Sequence, residues 1–466
     1  MYYKLIDGLA LRGWEKLPYA LYEIGQGNVD FLSKSEFLAL SFCDGITDSE
    51  SFFVNPGLKK IIAEALQKGY VAECNKGDML KEEQKYHLYP CNYMEKVHWS
   101  ITGKCNYRCR HCFMSAPTAK YGELDNTTVL DIINQMADCG ITNINLTGGE
   151  PLFRNDFLQI VDRLIEKKIR IRQIYSNASL IDDELLDELE KRNVICEFNI
   201  SFDGVGWHDW LRGIDGAEKI ATDAFALLHK RGFPTGSEMC IHRKNIHTIE
   251  ESVNLLSSLG VNNLKIIPIS DSGEWLKKAE NKDCSLEFHE VYDAFLEYIP
   301  KYFKAGSPIS LMLGGFFTCP KGTKNYSIPA AKYDGTKASC NQTLCASARN
   351  TMYIAADGRL LPCMPLSGMD CQDEYPLITE IGLEKALSDS IYLDRIDTRL
   401  EKLLMENAKC RECEYKYICG GGCRAGALIS SGDYLGCDES ICKIFMEGYY
   451  DRIRKISNEV IAQMKK

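Results

Sequence analysis

The sequence has no apolar run near the ~18 residues that would span a membrane. Its first residues, MYYKLIDGLALRGW, lack the basic segment and apolar stretch of a secretory signal. Both absences lead us to expect a cytoplasmic protein with no membrane partner. Basic residues are the minority, 55 Lys and Arg against 65 Asp and Glu, and the net charge of −10 disfavours nucleic acid as a partner. Disordered, collagenous and coiled-coil chains are excluded by 45% apolar and 26% charged residues without such a repeat. The length suits two to four domains. Cysteine alone is in excess, 21 among 466 residues. A reducing compartment leaves little use for disulfides, so thiols at this density point to metal or to chemistry.

Ten cysteines stand apart at irregular spacing: Cys43, Cys74, Cys91, Cys139, Cys196, Cys240, Cys284, Cys319, Cys371 and Cys437. Most read as small buried hydrophobes. The other eleven fall into two groups. The first is Cys105-x3-Cys109-x2-Cys112. The second begins at Cys340 and Cys345, passes Cys363, tightens into Cys410-x2-Cys413-x5-Cys419-x3-Cys423, and ends at Cys442. Iron–sulfur cubanes take four ligands, so three plus eight suggests two complete sites and one lacking a ligand.

Residues 1–86 read as a small winged-helix-like unit. A hairpin of Leu17–Glu23 and Asn28–Leu32 turns at Gly25-Gln26-Gly27. Ser33 caps a helix over Ser35–Phe42, and Gly69 ends a second over Leu58–Lys68. Tyr70–Glu73 returns as a strand, and Lys76–Lys85 is a charged linker. Over residues 87–304 the pattern becomes strand–helix alternation repeated six times. The strands are Val97–Thr102, Asn143–Thr147, Arg172–Tyr175, Glu197–Phe202, Ser237–Ile241 and Leu264–Ile269. Six units are too few to close a barrel of eight, so the fold class expected is α/β, with an open, partial (β/α)6 barrel. Residues 305–340 bridge to a cysteine-rich segment, 341–466. That segment has a strand pair near Thr351–Leu361 and too little apolar sequence to hold itself together without metal.

Polar or ligand-type residues follow every barrel strand, where barrels of this kind gather their sites. The first strand runs into the three-cysteine loop. The second ends at Gly148-Gly149-Glu150-Pro151, the third at Ser176-Asn177 and the fourth at Asp203-Gly204. His242 ends the fifth, and Pro268 and Ser270 the sixth. Three thiolates leave one iron of a cubane free for a further ligand. Zinc is the weaker reading, because no second ligand pair lies within the barrel sequence.

These motifs, with Ile200-Ser201-Phe202-Asp203-Gly204, resemble the radical S-adenosylmethionine (SAM) enzymes over residues 95–300. The resemblance implies that Cys105, Cys109 and Cys112 hold a [4Fe–4S] cluster whose free iron binds SAM. Reductive cleavage would then yield a 5′-deoxyadenosyl radical that abstracts a substrate hydrogen. It further implies that His111 approaches adenine and that Gly148, Gly149 and Glu150 meet the methionine amino group. Ser176 and Asn177 would lie near the ribose, and Arg212 would face the carboxylate. An external one-electron reductant such as flavodoxin or ferredoxin would be a partner.

The second cysteine group, with Gly358 five residues before Cys363, is similar to the SPASM extension, which implies two auxiliary [4Fe–4S] clusters and three in all. By that family's ligation, Cys340, Cys345, Cys363 and Cys423 would hold one, and Cys410, Cys413, Cys419 and Cys442 the other. Cys437 competes with Cys442, and Cys340 with a substrate ligand. The N-terminal unit resembles the element that binds leader peptides of ribosomally made, post-translationally modified peptides, by adding a strand to the hairpin. The function expected is therefore oxidative modification of a precursor peptide, by a thioether or other cross-link. Alternatives are a sulfatase-maturing type that makes formylglycine, indifferent to loss of residues 1–86, or a non-catalytic iron–sulfur or zinc scaffold. Asp203, Glu238, His242, Tyr353, Cys319 and Cys371 are unranked candidates for acid, base or hydrogen donor.

Overall fold

A computed structural model describes residues 1–52, 55–120 and 122–464. The N-terminal strands are β1 (Tyr2–Leu5), β2 (Leu9–Trp14), β3 (Leu17–Glu23), β4 (Val29–Phe31), β5 (Val71–Cys74) and β6 (His87–Tyr89). β1 pairs antiparallel with β5, and the others form a sheet in the order β4-β3-β2-β6. Ser33 starts the helix Lys34–Ser41 with a capping box, its hydroxyl taking the Glu36 amide while the Glu36 carboxylate takes the Ser33 amide. Asn55 caps the second helix, Pro56–Gln67. Leu5, Leu11, Leu21, Leu40 and Ile62 form a small core of their own.

This unit is bound to the barrel by side chains that sequence patterning did not reveal. Trp14 is 1% exposed within the main core and donates from Nε1 to the Cys139 carbonyl at 3.0 Å. Asn143 Nδ2 donates to the Gly27 carbonyl at 2.7 Å, and Arg170 to that of Gln26 at 2.9 Å. The expected linker is also tied down, since Arg12 donates to the carbonyls of Glu83 and Lys85.

The barrel strands are β7 (Lys96–Ser100), β8 (Asn143–Thr147), β9 (Arg170–Ser176), β10 (Glu197–Ser201), β11 (Thr235–Ile241) and β12 (Asn263–Pro268). Each pairs in parallel with the next. The chain adds strands at both edges. β13 (Ser310–Leu313) runs parallel beside β12, and β14 (Phe317–Cys319) returns antiparallel to it. From the cysteine-rich segment, β15 (Thr351–Ile354) pairs in parallel with β7, and β16 (Leu360–Leu361) folds back on β15. The result is one open ten-stranded sheet.

Side chains alternate along these strands. Val97, Trp99, Ile144, Leu146, Phe198 and Ile200 are fully buried in the core. Helices such as Asn126–Asp138 and Phe157–Glu166 cover them, presenting Val129, Ile132, Ile160 and Leu164. Burial of each such side chain is worth about 1.5–3 kcal/mol. The opposite face carries His98, Asn145, Tyr175, Asn199, Glu238 and Lys265 into a central cavity.

The cysteine-rich segment has more apolar structure than expected. Leu344, Leu400, Leu403, Tyr434 and Leu435 form a buried cluster there. Only Leu400 and Leu403 share a helical spacing, on Leu400–Glu406, while the others come from separate loops, so the cluster is not legible as one periodic segment. The C-terminal helix Tyr449–Gln463 packs on Phe288–Lys304, Tyr449 donating to Asp293 at 3.0 Å.

Candidate functional site

The three-cysteine loop leaves β7 and is held from below by the turn after β8. Gly149 N donates to the Thr102 carbonyl and Glu150 N to that of Lys104, both at 2.9 Å. A Cβ on Gly149 would stand 2.1 Å from the Lys104 oxygen, and one on Gly148, at φ +149°, 2.4 Å from that of Thr102. Sequence reasoning gave these glycines to the approach of a ligand. The close approach seen is to the cysteine loop itself.

Glu150 is completely buried. Its carboxylate accepts from Ser176 Oγ at 2.9 Å, Asn177 N at 2.7 Å and Leu152 N at 3.2 Å. Burial raises it to about 7, against the pull of these donors. Asn177 Nδ2 continues the network to Asn106 Oδ1 at 2.8 Å and toward Cys105 Sγ at 3.8 Å. Asn106 in turn donates to Ser179 at 2.8 Å. Asn106 and Ser179 were not expected at the site. They sit beside motif residues and could have been read as their supports.

At the far side of the loop, Arg212 donates from Nε to Asp203 at 2.6 Å and lies 3.7 Å from Cys109 Sγ through a terminal nitrogen. Asp203 also accepts from the Cys240 amide at 2.9 Å. Burial opposes its charge, but Arg212 holds it well below the usual carboxylate range. Asp203 is thus an anchor for Arg212, and a free acid or base has no place there. Burial, followed by the neighbouring Arg212, pushes the His111 imidazole down to about 3, and its Nδ1 is buried without a hydrogen-bond partner. His111, Asp203 and Cys240 bring ligand atoms within 4.8 Å of one another, so the first, fourth and fifth strand ends do converge.

The remaining candidates separate cleanly. Cys319 lies in the apolar core, hydrogen-bonded to the Pro320 and Thr323 carbonyls, and is removed from the site. His242 is boxed by the rings of Trp207, Trp210 and Trp275 at 6.2, 5.0 and 6.2 Å, and burial lowers it to about 4. Glu238 and Tyr353 do face the central cavity. Glu238 pairs with Lys265 at 3.0 Å, and Tyr353 shares a hydrogen bond of 2.6 Å with Ser100.

That cavity, about 730 Å³, is walled by the polar face of the strands and by Cys363. A second, of about 780 Å³, opens at the N-terminal ends of the strands beside β4. Lys96, Asn145, Gln173 and Glu197 line both. His98 lies between the tilted rings of Tyr175 and Tyr353, at 4.8 and 5.8 Å, with Nε2 unpartnered. Sequence reasoning missed this polar face, although the alternation in Lys96–Ser100, Asn143–Thr147 and Glu197–Ser201 carries it.

In the C-terminal segment, Cys345 accepts from the Ala348 amide at 3.4 Å at the start of helix Ala346–Asn350. Burial raises Cys363, and the thiols that act on it next are Cys423, Cys345 and Cys371. Cys340 lies on the turn Lys337–Asn341. Lys332, unforeseen, lies half-buried near both groups and donates to the carbonyls of Leu344 at 3.1 Å and Gly422 at 2.6 Å. Burial lowers it to about 8. Cys410, Cys413, Cys419, Cys437 and Cys442 line one cavity.

The three-cysteine loop, with no second ligand pair in the barrel sequence, suits an iron–sulfur cluster better than zinc. Among the described residues, no three cysteine sulfurs all lie within 4.8 Å of one another. A zinc tetrahedron with ~2.3 Å bonds needs its sulfurs about 3.8 Å apart.

Residues 99–256 match the radical SAM superfamily. An AdoMet-dependent heme synthase of Nitratidesulfovibrio vulgaris is 24% identical over 355 residues, covering 74% of this chain and 91% of that protein. A PqqA peptide cyclase of Granulibacter bethesdensis is 24% identical over 339 residues, covering 72% and 83%. Among solved structures, Streptococcus suis SuiB bound to precursor peptide SuiA superposes with TM-score 0.67 at 16% identity, over 95% of this chain and all of that one. The anSMEcpe structure with bound AdoMet superposes at 0.56 and 17% identity, over 78% and 99%. The family implies one [4Fe–4S] cluster and SAM, and Cys105, Cys109 and Cys112 on one loop are the thiol donors such a cluster takes. Residues 99–256 thus carry a radical SAM domain, and the matches support a catalytic radical SAM oxidoreductase.

Proposed function

We propose that the chain oxidatively modifies a ribosomally made precursor peptide, with the leader added as a strand to β4 and the core peptide led into the barrel. One observation carries this reading: an exposed strand edge opens onto a cavity that shares a wall with the central one. In the β3–β4 pair, Glu23 N bonds the Asn28 carbonyl, Leu32 N bonds that of Tyr19, and Asp30 stands opposite Leu21. By antiparallel alternation, the amides and carbonyls of Val29 and Phe31 face the open edge. SuiB, with its bound precursor peptide, and the PqqA peptide cyclases support a peptide as substrate.

Bound cluster and SAM would supply a carbon radical that removes a hydrogen atom from the substrate. The chain's part is positioning. Cys105, Cys109 and Cys112 hold the cluster. His111, Ser176 and Asn177 would contact SAM, a reading supported by the bonds through which Glu150 orients Ser176 and Asn177. The Glu238–Lys265 pair and the Tyr353–Ser100 pair face the peptide. Cys345, Cys363 and Cys423, with Cys371 or Cys340, form a second cluster site, and the later cysteines a third. We divide the chain at about residues 86, 304 and 340, and assign it to the cytoplasm with a flavodoxin or ferredoxin as reductant.

The test is anaerobic reconstitution, followed by iron counting and assay of 5′-deoxyadenosine with precursor peptides encoded beside the gene. About twelve irons per chain and peptide-stimulated product are expected; about four irons would remove the two further clusters. Val29→Pro, which deletes one edge amide, should weaken peptide binding at least tenfold. Val29→Ala, which keeps the amide, should not.

A further inference from the structure

Five thiols line the C-terminal cavity of about 670 Å³: Cys410, Cys413, Cys419, Cys437 and Cys442. A cubane uses four. The Cys437 and Cys410 sulfurs are 3.3 Å apart, and both residues are buried. Two thiolates on different irons are held apart by the irons and two iron–sulfur bonds. Sulfurs in contact therefore cannot both be ligands, and this separation is that of an S–H···S hydrogen bond. Asn407 fixes the pair. Its Oδ1 accepts from the Cys410 amide at 2.9 Å, starting the helix Ala408–Glu412. Its Nδ2 donates to the Leu435 carbonyl at 2.8 Å and to Cys437 Sγ at 3.6 Å. One side chain thus clamps the Cys410 turn to the loop that carries Cys437.

We propose that Cys410, Cys413, Cys419 and Cys442 ligate this cluster, and that Cys437 is a positioning thiol whose S–H donates to the Cys410 sulfur and raises the cluster's reduction potential. The proposal rests on the reading that this cavity holds a cluster. With Cys410 bound as thiolate, its sulfur is the acceptor and Cys437 keeps its proton. A hydrogen bond to a ligand sulfur favours the electron-richer reduced cluster. Cys442, on helix Glu439–Met446, completes the ligand set.

The experiment compares reconstituted holoenzyme of the wild type, Cys437→Ala, Cys437→Ser and Cys442→Ala, by iron count and by redox titration followed with electron paramagnetic resonance. Cys437→Ala should keep about twelve irons while one midpoint moves to more negative potential. Cys437→Ser, which retains a donor, should move it back toward the wild type. Cys442→Ala should lose about four irons. Loss of iron from Cys437→Ala with retention in Cys442→Ala makes Cys437 the ligand and overturns the proposal. An unmoved midpoint in Cys437→Ala overturns it as well. A wild type with only about four irons removes the cluster itself, and both readings fall together.

Discussion

At the level of single residues, His98 shows how the cavity sets chemistry. Burial, with Lys265 and Lys96 nearby, lowers its imidazole to about 4 from an unfolded value of ~6.5. The folded state therefore refuses a proton that the unfolded chain takes up. Its contribution to stability is complete above ~6.5 and is lost as pH falls toward 4. Between pH 7 and pH 5 that loss is about 2 kcal/mol. In His98→Gln the fall in urea midpoint over this range should be smaller than in the wild type, and equal falls would dismiss the effect. Gly149→Ala is the second prediction at this scale. Its methyl group would meet the Lys104 carbonyl, which cannot yield without moving Cys105. Purified protein should lose about four irons and most 5′-deoxyadenosine production. The residues that sequence grouped and the structure brings together are those with a side-chain type at fixed spacing: the three-cysteine loop, Glu150, Ser176 and Asn177. Where Cys319 and His242 point was not legible in sequence, because the direction of a side chain is a tertiary fact. One turned into apolar core and the other into a box of tryptophans.

At the level of elements, the six strands and their helices were legible because each alternation of apolar run and amphipathic helix is local. The edges of the sheet were not. β15 lies some 250 residues after the strand it pairs with, and no local pattern announces such a partner. That pairing explains how Cys363 comes to wall the central cavity, since β16 turns the chain back just before it. Lys332 tests the same joint from the other side. It ties the Leu344 and Gly422 carbonyls across two loops that carry the proposed ligands Cys345 and Cys423. Lys332→Met keeps the bulk but leaves both carbonyls unpaired, a cost of about 1–3 kcal/mol each if buried. Iron should fall toward four per chain while the three-cysteine site keeps its own. An unchanged iron content would show that the loops hold together without the lysine.

At the level of the whole molecule, residues 1–86 look separable in sequence and are not separable in space. Trp14 fills the main core against Cys139, while Asn143 and Arg170 on β8 and β9 reach back to Gly27 and Gln26. Removing the unit would open a tryptophan-sized hole, a loss on the order of 3–5 kcal/mol before any exposed surface is counted. A chain lacking residues 1–86 should therefore melt several degrees lower, aggregate, and lose SAM cleavage even without peptide. Loss of activity in that deletion would say nothing about a leader. Val29→Pro changes the free strand edge and leaves Trp14 and its contacts alone, so it should retain peptide-independent SAM cleavage while losing peptide binding. A deletion with wild-type melting temperature and wild-type SAM cleavage would show that the unit is a detachable appendage. The β4 edge would then have to act by tethering alone, and the shared wall of the two cavities would lose its role in guiding the peptide.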